Sequence, residues 1–363
     1  MQEQQPSSTT STQAKRWTTR ELLAWTTNFL KERSVESPRT LAEMLLSSVF
    51  QCERLRLYME VDREASVEEL STLRALVVRA GRMEPIQYLL GHWTFHGREY
   101  EVAPCTLIPR PETELLVDEA LRWTRAAIAQ GALAGDFRVV DVGSGTGCIA
   151  ISFVAGARGL FRAVPGSKIS GCQPLGGAGV APSIRRDVKV EGVCADGDAD
   201  VRAESGGAST RSPSIALRAF ACDIVPAAVE LAQRNATRHG VDHAIDFRVS
   251  DLFSAYAAHE QFDLILSNPP YIADTEWATL DANVRHYEPA SALRGGVDGL
   301  TVVRELLAQG AQRLRPGALL LMEIGWKQGD AVRALAETSG AFATVAVLRD
   351  GNGNDRILRA TRA

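Results

Sequence analysis

Two periods of apolar and polar residues divide this chain. From Trp17 to about Gly81 the period is helical. Leu22, Leu23, Trp25, Thr26 and Phe29-Leu30 recur after Thr18 or Thr19, either of which can cap a helix. Ser37-Pro38 opens a second stretch, with Leu41, Met44, Leu45, Leu46 and Val49 on its inner side. A third runs from about Ser66 to Gly81 through Leu70, Leu73, Leu76 and Val77. The pattern predicts a small helical domain over residues 16–85, which either caps the remainder or docks a partner. Residues 86–108 alternate and are rich in aromatics (Tyr88, Trp93, Phe95, Tyr100), which predicts a linker hairpin.

Beyond residue 109 the rhythm changes. After a helix through Leu115, Leu116, Val117, Ala120 and Leu121, short apolar runs alternate with helical stretches. Strands are predicted at Arg138–Val142, Ala216–Cys222, Ile245–Val249, Phe262–Ser267, Ala318–Ile324, Ala343–Leu348 and Asp355–Ala360. Helices such as Pro226–Arg238 and Gly299–Leu314 fall between them. Strand–helix alternation of this kind gives a doubly wound α/β sheet spanning residues 109–363. Residues from about 159 to 214, rich in Gly, Ser, Ala, Pro and Asp, break the alternation and read as a flexible surface insertion. Residues 1–15 read as a disordered tail.

Composition narrows the classes. The chain has 363 residues, 45% hydrophobic and 23% charged, ordinary for a globular protein with a sizeable core. A formal net charge of -4 argues against broad affinity for nucleic acid. Six cysteines without a CxxC pair suggest neither zinc nor a disulfide framework, and no metal is expected. No apolar run reaches the ~18–20 residues that span a bilayer. Lys15, Arg16 and Arg20 are too few to favour a mitochondrial transit peptide, so a bacterial-type cytoplasmic protein is the reading.

Four constellations carry chemistry. Val139-Val140-Asp141-Val142 leads into Gly143-Ser144-Gly145-Thr146-Gly147, where a strand ends in an acid and a glycine turn opens a helix. Such a turn lets a nucleoside cofactor approach the backbone; the bland alternative is a tight turn. The spacing differs from the dinucleotide fingerprint and is similar to the first motif of class I S-adenosylmethionine-dependent methyltransferases. Asp223, at the tip of the next strand, can accept both ribose hydroxyls or cap a helix. Asp251 can accept an adenine amino group beside Leu252, or close a turn.

The fourth is Asn268-Pro269-Pro270-Tyr271, directly after a predicted buried strand. An amide nitrogen is a poor nucleophile because its lone pair is delocalised. Two acceptors, the Asn268 side-chain oxygen and the Pro269 carbonyl, can hold both its N–H bonds and aim the lone pair at a methyl carbon. Asn accepts without a buried charge, proline stiffens the backbone, and Tyr271 offers a face for the planar group. The loop alone suits glutamine or adenine equally.

Together these residues resemble the PrmC/HemK protein-(glutamine-N5) methyltransferases of peptide chain release factors. The resemblance extends from about Trp17 to Arg362, the insertion excepted. Its blocks are Glu84-Pro85-Ile86-Gln87-Tyr88-Leu89-Leu90-Gly91, Leu107-Ile108-Pro109-Arg110-Pro111-Glu112-Thr113-Glu114, Arg285-His286-Tyr287-Glu288-Pro289, Leu321-Met322-Glu323-Ile324-Gly325 and Gly353-Asn354-Asp355-Arg356. It implies a Rossmann-like, seven-stranded methyltransferase sheet behind a helical domain that docks the protein substrate. It also implies transfer of a methyl group from S-adenosyl-L-methionine to the glutamine of the Gly-Gly-Gln motif of class 1 release factors. Gly143, Ser144, Gly145, Thr146, Gly147, Asp223, Asp251, Leu252 and Asn268 would contact the cofactor. Asn268, Pro269, Pro270 and Tyr271 would hold the glutamine, with Arg110, Pro111 and Glu114 shaping the wall; Arg110–Glu114 also suits a helix start with a structural ion pair. A monomer without direct nucleic-acid or membrane contacts is expected. An adenine-N6 DNA or RNA methyltransferase is the alternative, disfavoured by the acidic balance and the missing basic recognition domain. Intact motifs argue against a non-catalytic binding module.

Overall fold

A computed structural model describes residues 16–133, 135–162, 168–169 and 215–363. In the N-terminal unit, α1 (Thr19–Lys31), α2 (Pro38–Phe50), α3 (Arg54–Met59), α4 (Val67–Ala80) and α5 (Ile86–Leu90) surround one apolar cluster including Leu22, Leu30, Leu45, Leu46, Leu73 and Val77. Both α1 and α4 start with capping boxes, Thr18 with Glu21 and Ser66 with Glu69, which satisfy otherwise orphaned N–H groups. The hairpin is narrower than the alternation suggests. Residues 86–90 are helical between Pro85 and a left-handed Gly91, and the strands are β1 (His92–Phe95) and β2 (Arg98–Glu101). A five-residue helix is too short to show a period.

The larger unit continues as α6 (Glu114–Ala129), β3 (Gly135–Val142), α7 (Cys148–Arg162), β4 (Lys168–Ile169), β5 (Ile215–Asp223), α8 (Pro226–Arg238), β6 (Ile245–Val249) and β7 (Phe262–Ser267). It ends with α9 (Ala282–Tyr287), α10 (Thr301–Arg313), β8 (Leu314–Glu323), α11 (Gly329–Thr338), β9 (Phe342–Arg349) and β10 (Asp355–Arg362). The segment read as an insertion lies outside the described residues, apart from the end of α7 and from β4; residues 1–15 lie outside them altogether.

The sheet runs in the order β6-β5-β3-β7-β8-β10-β9, with β4 adding two residues to the β5 edge that β6 also pairs. The strands from β6 to β8 are parallel, and β10 is antiparallel to both its neighbours. Alternate residues feed two cores. Phe137, Val139, Leu217 and Leu266 join one cluster with Ile151 and Val154 of α7, and Val140, Val142, Ile265 and Leu320 join another with Val303 and Leu306 of α10. Both faces are covered, which is why these strands read as continuous apolar runs. Chain order reverses between β3 and β7, so a crevice opens at their C-terminal ends. Among the described residues no helix is long and apolar enough to cross a membrane.

Candidate active site

At that crevice the register sets Val142, Cys222 and Ser267 side by side on β3, β5 and β7. The glycine turn, Asp223 and Asn268 each follow within one residue of these positions and are brought together by pairing alone. The Ser267 hydroxyl donates to the Val142 carbonyl at 2.7 Å, and the N–H groups of Gly143 and Ser144 donate to the Cys222 carbonyl at 2.9 Å. Asp223 accepts from Gly145 N–H and Val225 N–H, both at 2.9 Å, and so ties the glycine turn to the start of α8. Burial pushes its carboxyl above the usual range.

Below the turn, Asp141 is sealed in the core. One oxygen accepts Ala150 N–H from the first turn of α7 at 3.1 Å, the other has no partner, and burial raises the carboxyl to about 7. Leu252 is held in the left-handed region at φ 46°. The Ser250 hydroxyl fixes that turn by donating to the Leu252 carbonyl at 2.8 Å and accepting Ala255 N–H.

One cavity of about 270 Å³ joins these features. Its wall includes Gly143, Ser144, Gly145, Thr146, Asp223, Asp251 and Leu252 at one end, and Asn268, Pro269, Pro270, Arg110 and Thr113 at the other. Four expected residues lie outside that lining: Pro111, in the first turn of the short helix after Arg110, and three others. Gly147 closes the turn against α8. Tyr271 sits mostly buried beside Gly325, its hydroxyl pKa raised by burial. The Glu114 carboxylate accepts His96 N–H at 2.7 Å, so it steadies the hairpin turn and not the cavity wall.

Other residues escaped the sequence reading as site components. The Asn268 amide nitrogen donates to the Thr113 hydroxyl at 3.2 Å, and that hydroxyl donates to Glu323 at 2.6 Å. Glu288, almost fully buried, accepts from Ile108 N–H at 3.1 Å and from the Arg110 guanidinium at 2.5 Å, which sets the direction of Arg110. The loop after Pro270 is braced by residues 293–299 through Ile272 N–H to the Leu293 carbonyl and Gly295 N–H to the Ile272 carbonyl. A Cβ at Gly295 would lie 2.8 Å from the Pro270 carbonyl oxygen, and one at Gly299 would strike the Tyr271 carbonyl. The only signal was Gly295-Gly296 three residues before Gly299, without a motif to attach it to.

The arrangement suits a nucleoside cofactor with a small planar acceptor at its far end. The Ser144 hydroxyl is buried in the wall without a partner, a polar group ready for a ligand. Gly143, at φ 75°, has open space where a Cβ would stand. Cys105 and Cys148 also line the cavity, but burial raises both thiols, Cys148 to about 12, so neither is a thiolate nucleophile near neutrality.

Fold and site together define a class I methyltransferase. Two family models match: the PrmC N-terminal domain over residues 21–91 and the methyltransferase small domain over residues 207–287. The release factor glutamine methyltransferase of Geobacter sulfurreducens is 33% identical over 342 residues, covering 94% of this chain and 96% of that one. That of Chlorobaculum tepidum is 33% identical over 343 residues, with the same coverage of 94% and 96%. That of Cereibacter sphaeroides is 35% identical over 286 residues, 79% of this chain and 77% of that one. The chain belongs to the release factor glutamine methyltransferase family.

Proposed function

We propose that this protein transfers a methyl group from S-adenosyl-L-methionine to the side-chain amide nitrogen of the glutamine in the Gly-Gly-Gln motif of class 1 release factors. The observation that carries the reading is one continuous cavity whose wall runs from Asp223 and Asp251 to Asn268-Pro269. The residues present fit the cofactor: Asp223 for the ribose hydroxyls, Asp251 and Leu252 for the adenine, Gly143 to Thr146 for the remainder. When bound, it supplies an electrophilic methyl group on a positively charged sulfur.

Everything else falls to the chain itself. The Asn268 oxygen and the Pro269 carbonyl accept the two N–H bonds of the glutamine amide, which fixes its plane and aims its lone pair at the methyl position. Positioning is the main contribution: Arg110, in the same stretch of wall, is no base, and Glu288 already holds it. The proton therefore leaves after transfer, when the alkylated nitrogen is acidic. The N-terminal helical unit, residues 16–85, docks the body of the release factor, and Tyr271 backs the acceptor loop. Action as a cytoplasmic monomer without nucleic-acid or membrane contacts belongs to the same proposal.

Labelled S-adenosylmethionine with a purified release factor tests it. Label is expected on the factor, and neither on its Gly-Gly-Ala version nor on DNA. Asn268→Ala should lower the transfer rate by about 10²–10³-fold, as for loss of one preorganised hydrogen bond in a reacting centre, while cofactor binding persists. Label on the Gly-Gly-Ala factor, or an unchanged rate in Asn268→Ala, refutes the assignment.

A further inference from the structure

An asparagine amide is nearly symmetric in shape but opposite in polarity at its two ends. The proposed chemistry needs the oxygen end towards the acceptor; if the NH2 end faced it, donor would meet donor. Nothing in Asn268 itself enforces the choice. Its surroundings do. Glu323, at the C-terminal end of β8, is 1% exposed, and its carboxylate accepts the Thr113 hydroxyl proton at 2.6 Å. A threonine hydroxyl has one proton, and once it is committed only lone pairs remain. Thr113 can then only accept from Asn268, and the Asn268 amide nitrogen lies 3.2 Å away.

We infer that Thr113 and Glu323 are positioning residues that lock the polarity of Asn268, and that protonation of Glu323 releases the lock. This rests on the reading of Asn268 as the acceptor of a glutamine N–H. In the charged state the order is Asn268 N–H to Thr113, Thr113 O–H to Glu323, and the Asn268 oxygen is left for the substrate. When Glu323 takes a proton from solvent, its O–H donates to Thr113. The Thr113 proton then turns to Asn268, whose amide rotates to accept it and presents NH2 to the acceptor nitrogen. No covalent bond other than O–H changes.

The surroundings place this switch near neutrality. Burial raises the Glu323 carboxyl to about 7; Thr113, Arg356 of β10 and Tyr271 favour its charged form, and Glu112 opposes it. Arg356 is shared with Asp350, at 3.0 Å, which limits its pull on Glu323.

Single-turnover transfer to the release factor, measured on the full chain from about pH 5.5 to about pH 8.5, tests the lock alongside calorimetric S-adenosylmethionine binding. The wild-type rate should fall on the acid side. Thr113→Ser keeps the hydroxyl and should follow the wild type. Thr113→Val keeps the shape without the hydroxyl and should lose about 10²-fold in rate, as for a misoriented reacting group, with cofactor affinity unchanged. Glu323→Gln removes the titrating group whichever end of the amide meets Thr113, so its residual rate should be flat where the wild type falls. That profile decides alone if Thr113→Val does not fold. A Thr113→Val enzyme as fast as wild type, or an acid limb that survives in Glu323→Gln, overturns the lock. Label on a Gly-Gly-Ala factor overturns instead the acceptor reading beneath it.

Discussion

Asp141 shows how one residue can serve the site and weaken the fold. Its carboxyl anchors Ala150 N–H at the start of α7, yet one oxygen is buried without a partner. Burial is the largest influence on it and Asp223 adds repulsion, which together raise it from 3.8 to about 7. A carboxyl raised on folding favours the protonated native state. Its contribution is fully present below about pH 4 and is lost as pH rises through about 7, a displacement worth up to about 4 kcal/mol. Asp141→Asn keeps an oxygen for Ala150 and removes the titration. Its other end becomes an unpaired NH2, a cost that does not vary with pH. The melting temperature of Asp141→Asn relative to wild type should therefore climb between about pH 4 and about pH 7 and level off above. Calorimetry across that range checks it, and a constant difference would exclude the burial argument.

At the scale of elements, Asn235 of α8 joins three parts that sequence distance separates. Its oxygen accepts Glu101 N–H at 2.8 Å, and its nitrogen donates to the carbonyls of Glu101 at 3.0 Å and Thr146 at 2.9 Å. The hairpin, α8 and the glycine turn thus share one buried side chain. Asn235→Ala leaves those backbone groups unpaired and should cost about 2–4 kcal/mol in urea denaturation, with weaker cofactor binding. The neighbouring Arg234–Glu101 ion pair is roughly half exposed on both sides. Arg234→Ala should therefore cost less than about 1 kcal/mol and leave binding alone. Equal effects in the two variants would contradict this division. Such bridges also mark the limit of what the chain discloses before it folds. The strands β5, β6 and β7 and the helix α8 were legible because apolar period and Pro226 at a helix start are local signals. The glycine turn, Asp223, Asp251 and Asn268 were legible because each ends a recognisable strand. Asn235, Thr113 and Glu323 were not legible as partners, because a hydrogen bond across 89 or 155 residues leaves no periodic trace. Glu114 was misassigned for the related reason that its neighbours in sequence line the cavity while its own side chain faces the hairpin.

The whole molecule is two units joined at a thin seam. The N-terminal helices bury their own cluster around Leu30, Leu45, Leu46 and Val77, separate from the two clusters on the faces of the sheet. Among the described residues a separate small cluster holds Tyr88, Val102 and Ile108, with Trp93 and Tyr287 packed alongside. Two hydroxyl bonds cross here, Tyr88 to the Thr106 carbonyl and Tyr287 to the Arg82 carbonyl, each at 2.7 Å. Three buried side chains couple the units weakly compared with what each unit buries itself, so the two should unfold in separate steps. Every residue proposed to hold the cofactor belongs to the larger unit. Ligand binding stabilises only the state that binds, by about 2.7 kcal/mol at one hundred times its dissociation constant. Scanning calorimetry should therefore show two transitions, with S-adenosylmethionine raising the midpoint of one and leaving the other in place. The unmoved transition should be the one that Leu45→Ala lowers, since Leu45 is fully buried in the N-terminal cluster. A single transition that shifts as a whole would mean that the seam, narrow as it is, binds the helical unit and the sheet unit into one cooperative body.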